Sequence, residues 1–143
     1  MSKGDTFEND LLKLIFQALD IALIADNAVS TPLTELFVSL HVGDPGEAGT
    51  QQTNEATYGD YARVGVARTS GGWAVTTNNA DNVAAITFPE ASSGSETVDF
   101  FAIGTLTSGA GKILYSGALT SGLAVSVGIT PQFAIGDCNV TED

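Results

Sequence analysis

The spacing of apolar residues changes once along the chain, near residue 34. Before it, Phe7, Leu11, Leu14, Ile15, Ala18, Leu19, Ala22 and Ala25 recur at steps of three and four, the signature of one helical face. Asp5, with Glu8 three positions on, approaches a capping box at its start. Asp26-Asn27 and Ser30-Thr31-Pro32 stop it. One helix over about 6–25 is predicted. Leu12, Phe16, Leu23 and Ile24 lie partly outside the stripe, so the apolar surface is wide enough to meet both its own domain and a partner.

From Thr34 the period is two. Leu36, Val38 and Leu40 alternate with Glu35, Phe37, Ser39 and His41, which reads as a strand covered on both faces. Asp44-Pro45-Gly46 is a turn, and 43–59 is a long polar loop of the kind that binds a partner or orders on a neighbouring subunit. Further short strands are predicted at Tyr61–Arg68, Trp73–Thr76, Val83–Phe88, Val98–Gly104, Ile113–Ala118 and Leu123–Val127, with a pair within Gln132–Val140. The predicted fold is therefore mainly β: a single β-sandwich or small barrel of about eight short strands, preceded by one N-terminal α-helix. Residues 1–33 form the amphipathic helix and connector, and 34–143 one β domain.

Composition narrows the function. The 143 residues suit one domain, and 43 % hydrophobic content supplies a core. Seventeen acids face 5 basic residues, a net charge of −12, yet only 15 % of residues are charged. A phosphate backbone and an anionic membrane surface would both repel such a chain, so neither nucleic acid nor membrane is an expected partner. One cysteine, Cys138, excludes an internal disulfide framework. The N-terminus lacks a signal-peptide layout, so synthesis in a cytoplasm as a soluble protein is expected.

Catalytic chemistry is hard to find. His41 is the single histidine, and no Gly-x-Ser-x-Gly elbow marks a nucleophile to pair with it. Gly109-Ala110-Gly111-Lys112 fails the phosphate-loop pattern at Leu106 and Ile113 and reads as a hairpin turn. Asp44 with Glu47, and Asp81 among Asn78, Asn79 and Asn82, could offer oxygens to calcium, but the turn-forming habit of Asp and Asn explains them more simply. Trp73 with Tyr58, Tyr61 and Tyr115 could stack a sugar; core or subunit contact is the plainer role. Arg63 and Arg68, in a chain so poor in cations, are expected to meet specific carboxylates within the chain or across an interface. No catalytic residue, cofactor or metal is expected.

Several blocks, in order, resemble a family of small virion structural proteins of tailed bacteriophages. They are Leu40-His41-Val42-Gly43-Asp44-Pro45-Gly46-Glu47-Ala48-Gly49-Thr50, Thr53-Asn54-Glu55, Tyr61-Ala62-Arg63-Val64 and Trp73. The likeness continues through Asn82 to Pro89, Phe101-Ala102-Ile103-Gly104, Leu114 to Leu119 and Val127 to Ala134. The resemblance implies a non-enzymatic particle component. The leading expectation is a capsid decoration (cement) protein on the outer head surface, a homo-oligomer, as a trimer, that binds the major capsid protein. A tail-associated or tail-fibre protein contacting the host is the alternative, and a carbohydrate-binding module the third. Partner contacts are expected from Phe7, Leu11, Leu14 and Ile15 of the helix, from Asp44, Pro45, Glu47 and Tyr58 of the loop, and from Arg63 and Arg68.

Overall fold

The computed structural model describes residues 5–20 and 33–142. One helix, α1 (Asp5–Gln17), is followed by β1 (Glu35–His41), β2 (Val64–Ala67), β3 (Trp73–Thr76), β4 (Asn79–Asn82), β5 (Ile86–Thr87), β6 (Ser95–Gly104), β7 (Ile113–Ser126), β8 (Gln132–Phe133) and β9 (Asn139–Thr141). The strands form sheets of order β2-β1-β6-β7, β3-β4-β9 and β5-β8, and the pairs β1–β6, β6–β7, β3–β4 and β4–β9 are antiparallel. The class is the expected one, mainly β and sandwich-like behind one helix, with no sheet closed into a barrel among the described residues. The chain divides into two compact units, residues Met1–Glu35, Val66–Ile86 and Phe133–Asp143 in the first and Leu36–Gly65 and Thr87–Gln132 in the second.

In the first unit α1 packs on β3 and β4. Phe16 meets Trp73 edge to face at 4.6 Å, and Leu12, Phe16, Trp73, Ala80 and Cys138 are all fully buried. The buried line of the helix is thus Leu12 and Phe16, the residues that the three-and-four stripe left at its margin. Leu11, Leu14 and Ile15 are only half-buried. Phe7's side chain lies outside the described residues.

The helix stops at Gln17, not at 25. Ala18 turns left-handed (φ 55°) and the Leu19 amide returns to the Lys13 carbonyl at 3.2 Å. The last-turn carbonyls of Leu14 and Ile15 accept hydrogen bonds from the Arg68 guanidinium, whose charge suits the negative end of the helix dipole. Residues 21–25 of the predicted helix lie outside the described residues.

Other boundaries also shift. The strand expected at Val83–Phe88 is replaced by the polar β4, with only Ile86–Thr87 extended after a bend. Asn-Ala-Asp-Asn has poor strand propensity, but here it forms the middle strand of its sheet. Asn82, 1 % exposed, donates to the carbonyls of Ala84 and Ala134 (both 2.8 Å) and accepts the Cys138 amide at 2.9 Å. The strand expected from Tyr61 begins only at Val64, and the two strands expected after Ile113 are one continuous β7.

In the second unit β1 is central. Leu36, Val38 and Leu40 are buried on one face, and Ser39 and His41 on the other. Its register with β6 runs from Phe37↔Gly104 to His41↔Phe100. Val98, Phe101, Ala102 and Ile103 of β6 complete the buried set.

Candidate functional site

The polar segment after β1 folds back on itself. The Val42 amide donates to the Asn54 carbonyl and the Ala56 amide to the Leu40 carbonyl, so 55–56 runs beside the end of β1. Asp44 starts the loop with its carboxylate on the Gly46 amide (2.8 Å), and Asn54, itself left-handed, donates to the Asp44 carbonyl. Closely spaced ends and self-packed side chains make this an Ω-type loop. Its tip is exposed at Asp44, Gly46, Glu47 and Ala48.

Three buried polar side chains hold it. His41 is fully buried between the Thr53 carbonyl (2.8 Å from Nδ1) and the Ser39 hydroxyl (2.9 Å from Nε2). A carbonyl only accepts, so Nδ1 carries the proton; the single Ser39 hydroxyl hydrogen lies within reach of both Nε2 and the Ala102 carbonyl (3.3 Å). Burial lowers the pKa of His41, opposed by the Thr53 carbonyl and the Glu55 charge. Gln51, also fully buried, donates to the Phe37 carbonyl and accepts the Leu106 amide, while its own amide reaches the Gly111 carbonyl. Gly104 and Gly111 must be glycines, because a Cβ at either would come within 2.2 Å of the Gln51 amide group.

Arg63 is the third clamp. Its side chain is 1 % exposed and grips Glu55 in a two-point pair, Nε to Oε1 at 2.6 Å and Nη2 to Oε2 at 2.7 Å. The remaining donors go to the carbonyls of Leu106 and Gly109. Tyr61 donates to Glu55 and receives the Leu40 amide; burial pushes its pKa well above the ordinary tyrosine value. These clamps knit the 43–59 loop to the 105–112 hairpin and leave exposed both the loop tip and 106–110. A shallow recess of about 220 Å³ lies between 55–63 and the 107–109 turn, lined by Glu55, Tyr61, Arg63 and Ser108.

The arrangement positions loops. Ser39 and His41 are hydrogen-bonded, as a nucleophile–base pair would be, yet both are fully buried and Nδ1 faces a carbonyl, not a carboxylate. Among the described residues no group of three or more His, Cys, Asp or Glu gathers as a metal site would. Trp73 is 0 % exposed, which removes it from any sugar-stacking platform; its indole Nε1 has no hydrogen-bond partner among the described residues.

The expected contact residues fall into two groups. In the first unit Leu14 and Ile15 meet Arg68 through their carbonyls, and Arg68 takes the Leu33 carbonyl as well, so the partners it shows among the described residues are carbonyls. In the second unit Asp44 and Glu47 are exposed, whereas Pro45 is buried. Tyr58 is also buried: it donates to the Pro89 carbonyl, and burial pushes its pKa up to about 12. Arg63 is spent within the chain, its carboxylate partner being Glu55. Sequence reasoning missed Gln51, Glu55, Asn82 and Glu96, whose carboxylate accepts the amides of Thr57 and Tyr58. No periodicity could have marked them: Glu96 and most bonds of Gln51 and Asn82 reach far along the chain, and the nearer pair Glu55–Arg63 follows no repeat.

Buried polar clamps pin these loops to a β scaffold, an architecture that holds surface loops in place. The family described as podophage GP4 fiber I protein gp80 matches residues 4–141, and the chain belongs to it. It is thus a structural protein of the tailed-phage virion. No curated protein matches the sequence.

Proposed function

We propose that this protein is a fibre component of a podophage particle and acts without catalysis, by assembling and by presenting the 43–59 loop and 105–112 hairpin. One observation carries the reading: the fibre family covers residues 4–141, nearly the whole chain. The geometry agrees with it, since the buried clamps leave two loop tips fixed and exposed. Repetition over many copies converts weak contacts at such tips into avidity. The decoration role expected from the sequence, with the major capsid protein as partner, is the second reading; the family's description favours the fibre. Electron microscopy of purified particles carrying a tagged copy of the protein tests the choice. Density or gold label confined to fibres is the expected result, and label spread over the head shell would overturn it in favour of decoration.

A further inference from the structure

The outer side of β7 is the part of the molecule least provided for. β1 pairs with β6 only between Phe100 and Gly104, whereas β7 follows β6 out to the pair Ser95↔Ser126. β7 ends the sheet order, and among the described residues no strand borders its other side. Thr120 to Ala124 are all exposed. Leu123 is 37 % and the following Val127 67 % exposed. A ribbon of two strands is marginal in water without a third strand or a cover.

Charge separates this edge from the rest. The chain holds 17 acids, yet no residue from Ile113 to Gly136 is charged. The nearby acids belong to β6. Glu96 is turned to the amides of Thr57 and Tyr58, and Asp99 sits at a bulge where a Cβ on Gly122 would fall 2.2 Å from its carboxylate. Edge strands that must stay single carry lysines, inward charges or proline. This one has only the bulge between Ala118 and Leu123.

We propose that the Gly117–Ser126 edge is where a second copy of this chain docks, by main-chain pairing along β7. Two chains of net charge −12 repel wherever their acids meet, so they can approach closely only through an uncharged stretch. A basic partner would gain more from an acidic edge, which β7 does not offer. The contact does not depend on where on the particle the protein sits.

Sedimentation velocity on the purified protein tests it, with Ala118→Lys and Ala124→Lys as edge variants and Ala84→Lys, charge-matched to either single variant, as a control at another exposed position. The wild type and Ala84→Lys should sediment as the same oligomer. The double edge variant should dissociate roughly tenfold or more readily, with an unchanged circular dichroism spectrum. A monomeric wild type, or a double variant that associates as well as the wild type, would overturn the proposal. Should the variant misfold, amide exchange on the wild type decides: protection at residues 117–126 should rise with protein concentration, and protection independent of concentration refutes the contact. Fibre localisation could fail while this edge still pairs, so the two proposals are separately testable.

Discussion

Both compact units tie chain connections together through a buried polar side chain, but the most heavily bonded one in each differs in chemistry. In the second unit Arg63 and Glu55 are a charged pair that ties two loops. In the first, Asn82 is a neutral amide that ties β4 to the 134–138 turn. A buried charge needs a matched countercharge, and removing one member strands the other at high cost. A buried amide leaves only dipoles unsatisfied. The charged clamp therefore makes an all-or-none anchor, and it lies beside the exposed loop tips. The neutral clamp lies where a polar sequence has to run as a central strand.

This contrast can be broken experimentally. Arg63→Ala should cost the most, about 3–5 kcal/mol, because Glu55 and two carbonyls lose their donors; the urea midpoint reads it. Replacing both partners with apolar residues should recover part of the loss, and a double variant no better than the single would remove the countercharge argument. Asn82→Ala should cost less, about 2–3 kcal/mol, because the Ala84 and Ala134 carbonyls each lose a donor and the Cys138 amide loses its acceptor. If it proves costlier than Arg63→Ala, the ranking of charge over dipole fails.

Arg68→Ala should cost about 1–2 kcal/mol, reduced by the partial exposure of Arg68, and should speed amide exchange selectively in α1. Uniform exchange across the first unit would show that Arg68 does not cap the helix. The smallest effect is that of pH on His41. Its folded pKa lies below the ordinary 6.5, so the unfolded chain binds the proton first. This stability contribution is complete above 6.5, falls as pH drops below it, and levels once the folded histidine also titrates. Unfolding measured from about pH 7 to about pH 5 should show that slope, and His41→Gln should flatten it.

Much of this was legible in the chain. The switch to period two at Thr34 marks β1, because local spacing alone puts Leu36, Val38 and Leu40 on one face. The 43–59 loop follows from Asp44-Pro45-Gly46, whose turn chemistry is local. The helix end was not legible: apolar spacing continues past Gln17, and the stop comes from Ala18's backbone and from Arg68, which lies far along the chain. The choice of Leu12 and Phe16 as the buried line was made by Trp73, which the helix meets only on folding.

What the sequence determined by itself is the mainly β class behind one N-terminal helix, the place of the long loop, and the acidic balance of the chain. These are written in local spacing and composition, which each residue carries with it. Only the tertiary structure decided that Asn79–Asn82 is a strand, that Glu55 is Arg63's partner and that β7 comes last in the strand order of its sheet. Pairing of buried polar groups and the order of strands are long-range choices. They are made by which donors and acceptors lose water together, and no window of neighbouring residues records that.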